Sequence, residues 1–115
     1  MSETSRRIAE ILNDAARDGA TLTYRQIADR AEIPPLRRIQ TVTSTLEEMV
    51  RADHAAGRPL LAALAVSRAG DGLPGPGFFQ LCRDLAMYFG PDNGPQARLF
   101  HEIQCRRIFD TLASS

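Results

Sequence analysis

Apolar residues at helical spacing open the chain: Ile8, Ile11, Leu12, Ala15 and Ala16 share one face, and Gly19 supplies a stop. The pattern predicts a first helix over about Ser5 to Asp18, with Arg6, Glu10 and Arg17 on its solvated side. Thr21-Leu22-Thr23 reads as a brief extended segment. Thr23-Tyr-Arg-Gln26 then forms a capping box, in which the threonine hydroxyl takes the third amide of a helix and the glutamine reaches back. Ile27, Ala28 and Ala31 give that short helix a small apolar face. Ile33-Pro34-Pro35 ends it, because the residue before a proline avoids helical geometry, and Pro35 suits the first turn of the next helix.

A third helix is predicted from about Leu36 to Asp53, with Leu36, Ile39, Val42, Leu46, Met49 and Val50 as its core stripe. The opposite face offers Arg37, Arg38, Thr41, Ser44, Thr45 and Glu48. Its first half carries two arginines and no acid, whereas Glu47, Glu48 and Asp53 gather at the far end. Such a split suits a helix that places its start among phosphates. It equally suits a solvated face on which Glu47 pairs with Arg51 one turn on.

Gly57-Arg58-Pro59 breaks the pattern before Leu60 to Ser67, a run apolar on both alternating faces that predicts a strand covered on both sides. Ala69-Gly-Asp-Gly72 signals a hairpin, and Leu73-Pro-Gly-Pro-Gly77 an edge strand leading into a tight loop, since its prolines lack ladder donors. A fourth helix is predicted over about Phe78 to Phe89, its stripe made of Phe78, Phe79, Cys82, Leu85, Ala86 and Phe89, with Gly90 as the stop. After the turn Pro91–Pro95, a last helix over about Gln96 to Leu112 has apolar residues almost all the way round. A surface helix normally shows one stripe. Two apolar faces point to a helix wedged within the fold, or to dimerisation through Phe100, Ile108, Phe109 and Leu112.

Helix, turn, helix, strand, loop and strand is the order of a winged helix-turn-helix. The predicted fold is mostly α with a small β-hairpin (α+β), with about five helices in a single domain over 1–115. The helix-turn-helix falls at about 23–53, the β wing at about 60–79 and the C-terminal helices at about 78–112. With 115 residues and 43% hydrophobic content, one core forms without metal or disulfide staples.

Charge changes this picture. The 14 basic residues, all arginine, balance 14 acidic ones, so no net basic field drives nucleic-acid binding. Every cation is nonetheless a planar fork suited to phosphate, guanine or carboxylate. No apolar run is long enough to cross a bilayer, and the start lacks a secretory core, so a cytoplasmic location is expected. Cys82 and Cys105 read as two structural thiols; without CxxC or HxxxH, neither they nor His54 and His101 suggest a metal.

Catalytic patterns are missing as well. No Ser-His-Asp arrangement is visible, and the glycine-proline run lacks the Gly-Lys-Ser/Thr of a phosphate cradle. The expectation is a non-enzymatic protein with no cofactor.

On Thr23-Tyr-Arg-Gln-Ile-Ala, the arginine-led next helix and the strand closing on Gly72-Leu-Pro-Gly, residues 21 to 75 resemble the DNA-binding domain of the alkylguanine alkyltransferases and alkyltransferase-like proteins. The resemblance implies that Tyr24 helps rotate a phosphate and that Arg37 enters the base stack. The family's Pro-Cys-His-Arg acceptor is replaced by Pro59-Leu-Leu-Ala-Ala, so alkyl transfer, which needs that thiolate, is excluded. The second half is similar to small uncharacterised bacterial and phage proteins with a Leu-Pro-Gly-x-Gly-Phe loop.

Two functions remain open from the sequence. One is DNA binding, as in a transcriptional regulator, through Tyr24, Arg25, Arg30, Arg37 and Arg38, with Thr41 and Ser44 near base edges and the Gly70–Gly77 wing at the backbone. The other is a protein-interaction module, such as a phage-encoded inhibitor or a subunit of a bacterial defence complex.

Overall fold

The Ser2 hydroxyl accepts the Ser5 amide at 3.1 Å and so caps α1 (Glu3–Arg17). The computed structural model describes residues 2–69 and 71–113. After α1 come β1 (Leu22–Thr23), α2 (Tyr24–Arg30), α3 (Arg38–Ala55), a 3-10 turn (Leu61–Leu64), β2 (Ala65–Val66), α4 (Pro76–Asp84) and α5 (Gly94–Ala113). The fold is mostly α with a small β part, as expected. No helix among the described residues is long and apolar enough to cross a membrane.

Helix ends share one device. Past α1, Gly19 takes a left-handed φ of 66°; its amide bonds to Ala16 and that of Ala20 to Ala15, satisfying carbonyls of the last turn. Gly57 ends α3 in the same way. α2 and α4 also end so, but with Glu32 and Ala86 in the left-handed position at φ 55° and 58°. A side chain there costs about 1–2 kcal/mol, which tertiary packing must offset. Ile33, next after Glu32, is buried in the core.

The apolar run after Pro59 corrects the predicted strand. Leu60, Ala62, Ala63, Leu64 and Ala65 are fully or nearly buried, but Leu61–Leu64 coils into a 3-10 turn and only Ala65–Val66 extends. α1, α3 and α5 pack around this segment, so it is covered on every side. Alanines let three helices approach its backbone. β2 pairs in parallel with β1, Leu22 against Ala65 and Thr23 against Val66.

The expected hairpin is therefore absent among the described residues. Gly70, in its turn, lies outside them. The Ser67 amide donates to the Leu73 carbonyl at 2.8 Å, closing a loop without a second strand. Leu73 is buried, and Pro76 already belongs to α4, so the proline-glycine run is a packed connection.

α4 is shorter than the sequence suggests, ending at Asp84. The turn at Ala86 sends Tyr88 back into the core, where it stacks on Phe100 at 4.6 Å between ring centroids and meets Phe79 at 5.6 Å. Its hydroxyl donates to the Pro91 carbonyl at 2.7 Å. Phe89, expected in the stripe, is left exposed.

α5 also differs from expectation. Ile108 is 4% exposed, and Phe100, Phe109 and Leu112 pack on the core, so the residues expected at a partner interface face inward. The outward apolar side chains are Leu99, 58% exposed, and Ile103, 48% exposed.

Candidate functional site

The capping box forms as the sequence predicts: Thr23 Oγ1 accepts the Gln26 amide at 3.1 Å, and Gln26 Oε1 accepts the Thr23 amide at 2.9 Å. It fixes the start of α2, which packs on α3 as the first helix of the pair. Between them, Arg37 stands in the left-handed region at φ 57°, and its carbonyl accepts the Thr41 amide at 2.9 Å. No side chain caps α3, so the amides of its first turn are open to an acceptor.

Two of the expected DNA contacts are engaged within the fold. The Tyr24 hydroxyl accepts the Gly75 amide at 2.6 Å. Burial pushes the phenol above its usual value of 10.0, a shift the Gly75 bond partly offsets. Arg38 turns inward and pairs with Asp29 of α2, holding the two helices together. Both side chains serve the packing of this region.

Arg25, Arg30 and Arg37 stand exposed and make no hydrogen bond or ion pair among the described residues. Ser44 is exposed on the outer face of α3, and Thr41 is half-buried beside it. Arg51 joins the same face; the Glu47–Arg51 pair that would have made it an ordinary surface is not formed among the described residues. Sequence spacing hides Arg51, because its i−4 neighbour is an acid that only geometry shows to be unpaired.

The predicted core stripe of α3 holds at Val42, Leu46 and Val50 and fails at its start. Leu36 is 84% and Ile39 43% exposed. The turn at Arg37 starts α3 two residues later than the spacing suggests, carrying Leu36 off the helix. Beside Ile39 lies a cleft of about 240 Å³ between α3 and the start of α4, lined by Tyr24, Ile39, Thr43, Leu46, Phe78 and Leu81 among others. Glu47 is the one charged side chain in its lining among the described residues.

A cysteine and a histidine also meet, unforeseen from sequence although four residues apart on one helix. His101 Nε2 is 2.7 Å from the Ala63 carbonyl oxygen, and Cys105 Sγ is 3.3 Å from the same nitrogen. A carbonyl only accepts, so Nε2 carries the hydrogen and cannot take the thiol proton. Burial, with Glu102 nearby, pushes the Cys105 thiol up to about 11; burial alone pushes Cys82 up to about 12, against a small pull from Arg83. Neither is a thiolate near neutral pH, so this pair lacks the activation of a nucleophile. No cluster of three or more His, Cys, Asp or Glu among the described residues could hold a metal.

The geometry thus leaves exposed arginines on α2, on α3 and at the turn between them, and an apolar cleft between α3 and α4, open to other molecules. No family model, curated protein or solved structure matches the chain.

Proposed function

We propose that the chain is a small non-enzymatic DNA-binding protein of the helix-turn-helix type, as in a transcriptional regulator, that sets α2 and the start of α3 against the duplex. One observation carries this reading. Arg25, Arg30, Arg37 and Arg51 have no ion pair among the described residues, and neither do Arg68, Arg98, Arg106 and Arg107 elsewhere, whereas Arg6, Arg7, Arg17, Arg38, Arg58 and Arg83 are all in ion pairs. Four of the groups without an ion pair therefore lie on α2, on α3 and at the turn between them. Asp29 beside them is neutralised by Arg38.

Uncapped amides at the start of α3 add phosphate donors next to Arg37. Ser44, exposed on α3, would approach a base edge, with the half-buried Thr41 nearby. The resemblance to the alkyltransferase DNA-binding domain, whose matching positions are Tyr24 and Arg37, supports the same orientation at Arg37, while the Tyr24 hydroxyl is bonded to Gly75. Because the whole chain is neutral, affinity should be modest, and its salt dependence is set by the few phosphate contacts these arginines make.

Fluorescence anisotropy with labelled genomic duplexes at low salt tests this. Binding should weaken in Arg30→Ala and Arg37→Ala, and the slope of log K against log salt should fall by about 0.9 per lost phosphate contact. A parent protein that binds no duplex at low salt ends the proposal. The second reading, a protein-interaction module, is favoured by the apolar cleft and the exposed Leu36 and Ile39. Failure to bind DNA, together with a protein contact abolished by Ile39→Asp, would shift the conclusion there.

A further inference from the structure

Two apolar surfaces are uncovered, and their chemistry is complementary. The first is the cleft between α3 and α4, with Ile39 at its rim and Leu36 three residues before it. Glu47 lines it further along α3 and has no ion pair among the described residues. The second is the outer face of α5. There Leu99 and Ile103 are four residues apart and exposed, and Arg106, also exposed and without an ion pair among the described residues, stands one turn on. Glu102 and Asp110 flank Arg106 on that helix.

The spacings agree. At about 1.5 Å per residue, Leu99 to Arg106 spans about 10.5 Å and Ile39 to Glu47 about 12 Å. We infer that the cleft takes α5 of a second copy of this chain, Leu99 lying on Ile39 and Leu36, Ile103 over Thr43 and Leu46, and Arg106 on Glu47. An amphipathic helix laid in an apolar groove buries its i and i+4 side chains and sets its register by charge at the end. Each copy carries both surfaces, so the contact either closes a symmetric pair or continues from copy to copy. The contact uses the side of α3 toward α4, leaving Arg37, Ser44 and Arg51 on the outer face.

Sedimentation equilibrium of the full chain over a concentration series, without DNA, is the test. The parent should reach at least twice the chain mass. Ile39→Asp and Ile103→Asp, both at exposed positions, should each return the single-chain mass with an unchanged circular dichroism spectrum. Glu47→Arg and Arg106→Glu should each weaken association by at least roughly tenfold, through like charges brought together. The variant carrying both exchanges should regain the parent's association. A parent that stays monomeric at the highest concentrations overturns the inference and leaves the cleft to a different protein. Association that Ile103→Asp does not change, or that the double exchange does not restore, overturns it too. None of these outcomes bears on DNA binding, which is measured separately.

Discussion

The hydroxyl of Tyr24 accepts the amide hydrogen of Gly75 at 2.6 Å, joining the first residue of α2 to the N-cap of α4 across 51 positions of chain. A Cβ at Gly75 would stand 3.3 Å from that oxygen and 3.4 Å from the ring, so glycine permits the close approach. The bond fixes one wall of the apolar cleft.

Tyr24→Phe leaves the Gly75 amide without its acceptor at a half-buried site. The expected loss is about 1–3 kcal/mol in urea unfolding. Unchanged stability with weakened DNA binding would instead assign the hydroxyl to the duplex.

Arg37→Gly separates folding from binding. The left-handed backbone at Arg37 costs a side chain about 1–2 kcal/mol, which glycine relieves in part because it also frees the unfolded chain. The midpoint of unfolding should hold or rise while affinity for DNA falls. A clear drop in the midpoint would show that the Arg37 side chain supports the fold.

His101 makes stability sensitive to acid. Burial lowers its pKa below 6.5, outweighing the Ala63 bond and Glu102, which raise it; Arg98 lowers it slightly further. Because the folded value lies below the unfolded one, the neutral ring's contribution is complete above about 6.5 and is lost as pH falls through the folded value. His101→Gln, which can still donate to Ala63, should flatten the dependence of thermal stability between neutral and mildly acidic pH. An equally steep decline in that variant would place the acid sensitivity elsewhere.

Neither thiol should react in the folded protein. Cys82 and Cys105 are buried, with pKa values pushed up to about 12 and about 11. A thiol reagent at mildly alkaline pH should label both in denaturant and almost neither without it. Rapid native labelling of Cys105 would contradict the hydrogen-bond assignment at His101.

Local patterns are legible where the physics is local. The capping box at Thr23–Gln26, the stops at Gly19 and Gly57 and the inward face of α1 need only neighbours three or four residues away, and all are present. The end of α4 is hidden because Ala86, not a glycine, takes the left-handed turn, and only the burial of Tyr88 against Phe79 and Phe100 explains it. Arg38 and Tyr24 read as outward chemistry because their partners, Asp29 and Gly75, are not helical neighbours.

The sequence by itself determined a mostly helical chain with a small β part, since periodicity, caps and proline positions act along the chain. Tertiary structure decided the rest. It coiled Leu61–Leu64 under three helices, paired Leu22–Thr23 in parallel with Ala65–Val66, and turned Ile108 inward while leaving Leu99 and Ile103 outside. Those outcomes depend on which surfaces meet across long stretches of chain, and an apolar residue on a two-faced helix does not specify which side will be covered.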